Sequence, residues 1–518
     1  MSNRKFQLFE ATEMLPINPY FKTVLRDLGL LIHIPAVMAL VTVPIALLAG
    51  EDYAVMPFVL TAIAALIVGQ GLFRLFRQAS ASHLRQALMT VALSWGMIPL
   101  FGALPFLLIA NHIAGDPAAL PTITYFRDPL NALFESMSGF TSAGLTMTLR
   151  EEALPHSLQW WRSFMQWIGG VGVIVLVLSV LEPSTNAESL YFAEGRSRRI
   201  GITLQQTVRH IWWIYLIYTI GGIFLLRIVG MSWWAALNHS MTAISTGGFS
   251  ITNNSMAAYG PGIQLAVIVL MILGAISFAN HFQFLQQRRL HALWRDNQHR
   301  ALWILLGLGF GWLLLEVYWY SGQWQWINSA FQWVSALTTC GFASLNVQQW
   351  SAPAKLLLSL GMIFGGASGS TVGGIKLNRV VYLGKAVIWR FERTGLRPHQ
   401  LMRYRLNGRV VTSTEANRQI ESAAVLAALW LSLIALGTFI LLHIVGTEYT
   451  LSDVIFEVSS ALGSAGLTTG ISGPNLAWAG KVTLTLLMWM GRLEIIPVIL
   501  LLSMPLRHLS KMRSPLSR

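Results

Sequence analysis

The chain contains a single cysteine, Cys340, among 518 residues. One thiol excludes an internal disulfide and any zinc site built on several cysteines. We predict that Cys340 is a small packing residue, with a redox role as the alternative. Charge is also scarce, because Asp, Glu, Lys and Arg together make up 11% of the residues. No stretch between the apolar runs is long enough to form a soluble domain of ordinary size.

Acidic residues are fewer than basic ones, 22 against 36, which gives a formal net charge of +14. Six segments hold 29 of the 36 Lys and Arg residues, and residues 376–418 alone hold ten. All six lie on one side of a membrane if the chain crosses it as described below, which is the distribution of the positive-inside rule. The charge therefore predicts a basic cytoplasmic face with both termini inside, and not a nucleic-acid-binding surface.

Apolar residues are abundant, with 54% hydrophobic residues and a mean hydropathy of +0.56. Runs of about twenty apolar residues, long enough to cross the hydrocarbon core of a bilayer, recur along the chain. Histidines are scattered and acidic residues lie mainly at the ends of these runs, so no Asp/Asp, Ser/His or HExxH set is visible at membrane depth. We predict a multi-pass membrane protein that is not an enzyme and has no organic cofactor.

A nine-residue pattern occurs four times. The copies are SGFTSAGLT at 138–146, TAISTGGFS at 242–250, SALTTCGFA at 335–343 and SALGSAGLT at 460–468. Each copy follows a run able to form two or three helical turns, and each has a hydroxyl residue two places before a glycine. Four short helices that end in such loops are what a ring of backbone carbonyls around one axis requires. The repeat predicts an ion-selectivity filter.

Glycine has a physical reason to recur in these loops. To aim successive carbonyl oxygens at a shared axis, the backbone must leave the right-handed and extended regions, and glycine does so without a Cβ clash. The preceding helix contributes the partial negative charge of its C-terminal end, which favours a cation. The alternative is that the small residues pack helices together, as GxxxG motifs do. The constant frame between apolar segments favours the filter.

The apolar runs predict ten membrane spans. Two of them, at 28–50 and 56–76, form an N-terminal extension. A unit of span, short helix, glycine loop and span then occurs four times. The spans of the four units are predicted at 87–110 and 160–181, 211–229 and 263–284, 302–320 and 356–380, and 423–445 and 482–502. The predicted boundaries are 1–82 for the extension and 83–200, 201–295, 296–410 and 411–518 for the units.

Irregular loops at membrane depth cannot face lipid, so the glycine loops must line water or be covered by protein. This condition is met when the four units surround one axis. The predicted fold is therefore an all-α polytopic membrane protein with ten transmembrane helices, in which four repeats form a pseudo-fourfold pore within one chain.

One predicted span is interrupted by GGASGSTVGG at 365–374, which has five glycines in ten residues. Each glycine costs a helix interior roughly 1 kcal/mol relative to alanine, so we predict that this stretch is unwound. Nothing equivalent is visible in the other three second spans. Non-helical backbone at this depth lines an ion path, and we predict that the loop obstructs the pore below the filter. A phosphate-binding loop is the alternative, but no strand precedes it and the GxxxxGK[ST] spacing is absent.

Several charged residues lie within or beside the predicted spans. Charges at this depth face a cavity or a partner. We predict that Arg492 lies toward the pore or the unwound loop, with a structural pair as the alternative, and that Arg492 and Glu494 lie on different faces of one helix. Lys376 is expected to extend toward the cytoplasmic surface. Glu135 and Glu457 occupy equivalent positions in two short helices, where His239 and Gln332 stand in the others, so we predict that they support the loops.

The chain resembles the Trk/Ktr/HKT superfamily of potassium transporters, and most closely the TrkH/TrkG type of bacterial membrane subunit. The residues that carry the resemblance are FESMSGFT at 134–141, WRSFMQWIGG at 161–170, the 365–376 stretch and GRLE at 491–494. It extends over essentially the whole chain, and the two N-terminal spans are similar to those that distinguish the TrkH type.

The resemblance implies potassium uptake across the bacterial inner membrane by a homodimer, gated by a cytosolic nucleotide-binding subunit of the TrkA type. The transported ion would be K⁺, membrane lipids would surround the protein and no nucleic acid would bind. A glycine in all four copies resembles the potassium-selective members. The alternative is a potassium symporter coupled to Na⁺ or H⁺; a lipid-binding or purely structural membrane protein does not explain four filters.

The resemblance also assigns roles to individual residues. Filter carbonyls would bind K⁺ at Ser142, Ala143, Gly144, Thr246, Gly247, Gly248, Thr339, Cys340, Gly341, Ser464, Ala465 and Gly466. The gate would consist of Gly365, Gly366, Gly369, Ser370, Thr371, Gly373, Gly374 and Arg492. The chain departs from the common Thr-Thr-Gly pattern at Ala143, Gly247, Cys340 and Ala465, and Gly463 stands where the other copies have Thr or Ser.

Overall fold

The computed structural model describes residues 19–80, 82–113, 121–172, 204–288, 294, 296–395, 402–406 and 409–503. Within these residues the chain is predominantly helical. It also has one short antiparallel hairpin, in which β1 (Tyr404–Leu406) pairs with β2 (Arg409–Val411). The helical membrane-type fold expected from the apolar runs is confirmed.

The N-terminal extension consists of α1 (Pro19–Leu31), α2 (His33–Leu48) and α3 (Asp52–Leu75). Phe21 to Leu48 form one continuous helical stretch, so the first span begins several residues before the predicted start at residue 28. The chain then reverses at Gly50, whose φ of +71° belongs to the left-handed region that glycine adopts without strain.

A carboxylate fixes this extension to the rest of the molecule. Glu51, which is 7% exposed, accepts hydrogen bonds from the backbone N–H groups of His156 (2.6 Å) and Ser157 (2.9 Å). These are unsatisfied donors at the first turn of the helix that begins at His156, where negative charge is also favourable. The extension therefore docks on the first repeat unit through a helix terminus.

The first two units follow the predicted order of span, short helix, glycine loop and second span. Unit 1 consists of α4 (Leu84–His112), α5 (Pro121–Thr124), α6 (Pro129–Phe140) and α7 (His156–Val171). Unit 2 consists of α8 (Leu204–Ile228), α9 (Trp233–Ile244), α10 (Pro261–Ala275) and α11 (Phe278–Gln287). Residues 173–181, the rest of the second span predicted for unit 1, lie outside the described residues.

The last two units repeat this order. Unit 3 consists of α12 (Asn297–Ser321), α13 (Trp326–Leu337), α14 (Ala352–Ile363) and α15 (Leu377–Thr394). Unit 4 consists of α16 (Ser413–Leu442), α17 (Leu451–Gly463), α18 (Trp478–Arg492) and α19 (Ile496–Ser503). The hairpin lies between α15 and α16, where Trp389, Leu406 and Ala416 form a small core of their own.

Three of the four short helices, α6, α9 and α17, have recognisable start signals, whereas α13 begins after Gln325 without a side-chain cap. Asp128 caps α6 with Pro129 at its first position, Ser232 caps α9, and Thr450 forms a capping box with Asp453 in α17. Each helix is 12 or 13 residues long. The predicted two or three turns are confirmed, and each helix continues to within a few residues of its glycine.

Two further second spans are broken, contrary to the prediction that only the third is interrupted. α10 and α11 meet at 104° around residues 276–277, and α18 and α19 meet at 115°. At the first break, the carbonyl of Ala275 accepts from Ala367 N–H (3.1 Å), and Phe278 N–H donates to the carbonyl of Gly369 (3.0 Å). Because the 365–374 stretch pairs these backbone groups, the helix can end here without a glycine-rich signal.

Six described helices are long and apolar enough to cross a membrane, and the two bent pairs raise this number to eight. The remaining predicted spans are α7, whose continuation is outside the described residues, and α14, which is only 12 residues long. The total of ten spans stays a prediction.

In three of the four second spans, a polar side chain at the fourth helix residue connects consecutive units. In α7, Gln159 accepts a hydrogen bond from the Trp234 indole of unit 2 (2.7 Å). Ion pairs at the same position join unit 3 to unit 4 and unit 4 back to unit 1: Lys355–Asp453 (2.7 Å) and Lys481–Asp128 (3.4 Å). The fourth such residue, Gln264, bonds within its own unit to the carbonyl of Met256 (3.0 Å).

Candidate functional site: the four glycine loops

The four glycine loops share one backbone conformation. The hydroxyl residue of each loop has a positive φ between 46° and 54°, and the glycine two places later has a φ between 77° and 92°, whereas the residue between them is not left-handed. The left-handed hydroxyl residues are Ser142, Thr246, Thr339 and Ser464, and the glycines are Gly144, Gly248, Gly341 and Gly466.

Each loop is held to the end of its own helix by the same hydrogen bond. The middle residue, Ala143, Gly247, Cys340 or Ala465, donates its N–H to the carbonyl five residues earlier at 2.8–2.9 Å. A bond across this interval, together with the left-handed residue before it, is the Schellman arrangement that satisfies the last carbonyls of a helix. The hydroxyl residue therefore ends the helix and starts the loop.

The glycines meet in a closed ring. A Cβ built on Gly144 would lie closer than 3.0 Å to the carbonyl oxygen of Gly247, and the same holds for Gly248 against Cys340, Gly341 against Ala465 and Gly466 against Ala143. Side chains do not tolerate such distances from a backbone oxygen. The loops thus contact one another in the cyclic order 1, 2, 3, 4, 1, and only glycine fits at each of the four positions.

Behind the ring, one residue of each short helix holds the chain that follows the glycine. Glu135 accepts from Met147 N–H (2.7 Å), and Glu457 accepts from Thr469 N–H (3.0 Å). His239 bonds the Ser250 hydroxyl (2.9 Å), and Gln332 accepts from Ser344 N–H (3.3 Å). The prediction that Glu135 and Glu457 support the loops is confirmed. All four side chains are 0% exposed and, although they differ chemically, they act at the same place.

Arg162 of α7 joins the first loop to the second, and sequence reasoning gave it no role of its own. Its guanidinium pairs with Glu135 (2.7 Å), donates to the carbonyl of Ser250 (2.9 Å) and lies 4.2 Å from the ring centroid of Phe249. The available signal was a charge within the predicted span 160–181, which is expected to have a partner. The partner's identity could not be predicted, because Ser250 is 88 residues away.

A vestibule of about 360 Å³ opens on one side of the ring. Its lining includes all four loop glycines, the asparagines Asn253, Asn254 and Asn346, and one carboxylate, Glu151. Burial raises the pKa of Glu151 to about 7, with the nearby Arg162 guanidinium opposing the shift and the charges of Glu135 and Glu152 adding to it. The described residues place no cationic side chain within ion-pair distance of Glu151.

The unwound stretch lies against the other side of the ring. α14 ends at Ile363 and α15 begins at Leu377, and the chain between them is closed by a bridge between Phe364 and Ile375. The predicted interruption is confirmed. Gly373 N–H donates to the Thr339 hydroxyl (2.8 Å), and the Thr371 hydroxyl donates to the carbonyl of Ile244 (3.0 Å). The loop is therefore bonded directly to glycine loops 2 and 3.

Arg492 is the last residue of α18 and reaches this loop from the fourth unit. It donates to the carbonyls of Thr371 (3.1 Å), Gly170 (3.3 Å) and Gly169, and its guanidinium lies 5.4 Å from the ring centroid of Trp95. The predicted position toward the unwound loop is confirmed. Arg492, Gly170 and Trp95 belong to the lining of a cavity of about 50 Å³ beside the unwound loop.

Two predictions about neighbouring charges are wrong. Arg492 and Glu494 do not share a helix, because α18 ends at Arg492 and Glu494 has a φ of 56°. Glu494 instead pairs with Arg379 of α15 at 2.5 Å. Lys376 does not extend to a surface either, because its ammonium donates to the carbonyl of Val372 within the unwound loop. Glu494 and Lys376 thus each bond a partner beside the unwound loop, since an unpaired charge within a membrane is costly.

Known proteins resemble this chain over most of its length. The family model described as "TrkH: Cation transport protein" matches residues 55–512. The chain belongs to the TrkH family. A cation transporter of Methanocaldococcus jannaschii is 35% identical over 402 residues, which cover 76% of this chain and 80% of that relative. The Trk system potassium uptake protein TrkH of Escherichia coli is 28% identical over 502 residues, covering 93% and 98%.

The crystal structure of the potassium transporter TrkH from Vibrio parahaemolyticus superposes with a TM-score of 0.78 at 25% identity, covering 94% of this chain and 99% of that one. The resemblance read from the sequence is thereby confirmed, and this TrkH-family chain is a cation transporter. Transport is not an enzymatic reaction, so the family agrees with the prediction of a non-enzyme. The filter and gate roles of individual residues stay predictions.

Among the described residues, no three His, Cys, Asp or Glu side chains converge as ligands for a metal ion. Cys340 is fully buried in the third loop, as expected of a packing residue.

Proposed function

We propose that the chain is the potassium-translocating subunit of a bacterial potassium uptake system, with a gated, channel-like pore and a four-loop selectivity filter. The observation that carries the proposal is the cyclic contact of the four glycine loops, each with a glycine facing a carbonyl of the next loop. The relatives named above as potassium uptake proteins support K⁺ as the transported ion.

In this proposal the filter consists of residues 142–144, 246–248, 339–341 and 464–466. Their carbonyl oxygens replace the hydration shell of K⁺, and the C-terminal ends of α6, α9, α13 and α17 add partial negative charge. In all four loops the hydroxyl residue and the glycine have positive φ values and the residue between them does not. This shared backbone conformation supports the filter role, because equivalent carbonyls of the four loops then have the same local geometry.

We assign the gate to residues 365–374 and Arg492. The loop lies against two glycine loops, and Arg492 ties it to the carbonyls of α7. The contrast between a cavity of about 50 Å³ here and about 360 Å³ in the vestibule supports a path that is closed on the loop side. Opening would require the loop and Arg492 to move aside.

We further propose the arrangement of the chain in the membrane. It has ten spans in an extension (1–82) and four units (83–200, 201–295, 296–410 and 411–518), and it lies in the bacterial inner membrane with both termini in the cytoplasm. Exposed arginines on α15, at the hairpin and at the start of α16 support a cytoplasmic loop side: Arg390, Arg393, Arg403, Arg405 and Arg418.

The same basic surface supports docking of a cytosolic nucleotide-binding subunit of the TrkA type. A homodimer is the oligomeric state that the family resemblance favours, so both partners belong to this proposal.

The proposal is tested by cation flux into proteoliposomes that contain the purified chain, with K⁺, Rb⁺, Na⁺ and Li⁺ compared at equal driving force. We expect K⁺ and Rb⁺ to pass well ahead of Na⁺, and Gly144→Ser or Gly466→Ser to reduce this preference because a side chain disturbs the carbonyl of the adjacent loop. Unchanged selectivity in both variants would remove the filter assignment.

Coupled symport is the second candidate. Current reversal potentials measured under imposed Na⁺ and pH gradients distinguish the two mechanisms. A channel-like pore gives a reversal potential that follows the K⁺ gradient alone, whereas a symporter shifts it with the gradient of the coupled ion.

A further inference from the structure

A side chain outside the four loops braces the second one. Gln166 lies in α7 and is 0% exposed. Its amide nitrogen donates to the carbonyl of Gly247 (2.6 Å), and its amide oxygen accepts from Phe249 N–H (2.9 Å). The one side chain therefore spans the loop glycine, Gly248, from both sides.

The brace has no counterpart at the equivalent helix positions. Gln166 is the eleventh residue of α7, and the eleventh residues of α10, α14 and α18 are methionines, namely Met271, Met362 and Met488. A thioether cannot donate a hydrogen bond and accepts one only weakly. Among these four equivalent positions of the second-span helices, only the one in α7 carries an amide.

The second loop also departs from the others in its middle residue. Gly247 stands where the other loops have Ala143, Cys340 and Ala465. A Cβ on Gly247 would lie closer than 3.0 Å to the amide carbon, oxygen and nitrogen of Gln166. The Gln166 amide occupies the space that the side chain of the middle residue fills in the other three loops. The glutamine and the glycine therefore belong together, since each requires the other.

We propose that Gln166 is a positioning residue that sets the cation selectivity of the ring by holding the second glycine loop. Two adjacent glycines, Gly247 and Gly248, give this loop more conformational freedom than the others. The amide removes that freedom by fixing a carbonyl before Gly248 and an N–H after it. The inference rests on the proposed filter, since it concerns how well that filter discriminates.

The test is a double-mutant cycle on Gln166→Met and Gly247→Ala, which introduces the methionine found at the other three helix positions and the alanine found in two of the other three loops. Two hydrogen bonds are lost in Gln166→Met, and we expect the K⁺ to Na⁺ permeability ratio in proteoliposomes to fall by about tenfold. Gly247→Ala alone should also lower the ratio because its methyl group meets the amide. The double variant should recover part of the loss, because the methyl group then occupies space that the amide has left.

Gln159→Met is the matched control. Gln159 is a buried glutamine in the same helix that also bonds the second unit, through Trp234. The other hydrogen bonds described for its side chain go to the carbonyls of Glu151 and Leu154, which lie outside the four nine-residue copies. We expect this variant to lower the melting temperature of the protein while its permeability ratio stays unchanged.

A fall in melting temperature without a change in permeability ratio for Gln166→Met would overturn the inference, as would strictly multiplicative effects in the cycle. If Gln166→Met does not accumulate in the membrane, the double variant is compared with Gly247→Ala, and a double variant that is no more selective than Gly247→Ala overturns the inference. A wild-type protein that passes K⁺ and Na⁺ equally would instead contradict the proposed function.

Discussion

Three of the four hydroxyl residues of the glycine loops connect the ring to its surroundings, whereas the buried Ser464 hydroxyl has no hydrogen-bond partner among the described residues. Their left-handed conformation is unfavourable for residues with a Cβ, above all for the β-branched Thr246 and Thr339, and costs about 1–3 kcal/mol per residue. Thr339 offsets this cost by accepting from Gly373, and Thr246 by bonding the Thr371 hydroxyl (3.3 Å). In the first loop, Ser142 donates to the carbonyl of Gln166 (3.3 Å). These hydroxyls anchor the ring to the elements packed around it.

Glu151 is expected to make cation uptake depend on pH. A carboxyl with a pKa of about 7 is neutral below that pH and negative above it, and a negative charge in the vestibule attracts cations. K⁺ uptake by the wild type should therefore rise between about pH 6 and about pH 8. Glu151→Gln should show low uptake with no such rise.

Glu152→Gln is the control for this measurement. Glu152 is exposed and its carboxylate accepts from Asn253 N–H (3.3 Å), so its loss should leave the rise in place. Removing its charge should move the midpoint slightly to lower pH, because Glu152 contributes to the raised pKa of Glu151. An equal rise in Glu151→Gln and the wild type would contradict the assignment.

Removing one member of the Arg162–Glu135 pair is expected to destabilise the protein more than changing both members. Arg162→Leu leaves Glu135 buried with its charge uncompensated, and breaking a buried pair in this way costs about 3–5 kcal/mol. The melting temperature in detergent should fall steeply. Adding Glu135→Gln should restore much of it, because the amide still bonds neighbouring groups without a charge. A double variant no more stable than Arg162→Leu would count against a buried ion pair.

At the scale of elements, the unwound loop is the part whose movement would change flux. Arg492→Gln removes the positive charge and most of the hydrogen bonds to the carbonyls of Thr371, Gly169 and Gly170. If the loop closes the path, Rb⁺ flux through the chain alone should rise severalfold, and shortening residues 365–374 should have the same effect.

Arg379→Gln provides the comparison for this experiment. It removes a positive charge close to the loop, but Arg379 pairs with Glu494 and does not bond the loop backbone in the contacts described above. We expect a smaller change in Rb⁺ flux than for Arg492→Gln. Equal flux in wild type, Arg492→Gln and the shortened loop would remove the gate assignment.

The elements that could be predicted are those whose cause is local. The glycine loops, their short helices and the 365–374 break are all encoded by glycines or apolar runs at the site itself. The break after Arg492 could not be predicted, because it places Glu494 and Ile495 at positive φ values that such residues rarely adopt. The break at residues 276–277 could not be predicted either, because its backbone groups bond the distant 365–374 stretch. Arg162 and Gln166 were missed for the same reason, since their partners in the second loop lie 81 to 88 residues away.

At the scale of the molecule, the contacts between units are expected to stabilise the ring unequally. Lys355–Asp453 is a short, buried pair between units 3 and 4, whereas Asp128 at the junction of units 4 and 1 is about half exposed. Lys355→Met should therefore lower the melting temperature more than Lys481→Met does. Asp453→Asn added to Lys355→Met should recover stability, because no unpaired charge remains. An equal fall in melting temperature in Lys355→Met and Lys481→Met would mean that the exposure of an ion pair does not determine how much it stabilises the protein.

The junction between units 4 and 1 has a consequence for biogenesis. Units 1, 2, 3 and 4 are joined in sequence by the polypeptide, but no peptide linkage joins the last unit to the first. Those two units meet through non-covalent contacts, such as the Trp489 indole on the carbonyl of Ala92 (3.0 Å) and Lys481 near Asp128. Synthesis proceeds from the N-terminus. The glycine loops of units 1, 2 and 3 are therefore at membrane depth before unit 4 has been synthesised. Until then, protein does not cover them on all sides. A chain that stops before Leu451 would leave them uncovered, and quality-control proteases should remove it.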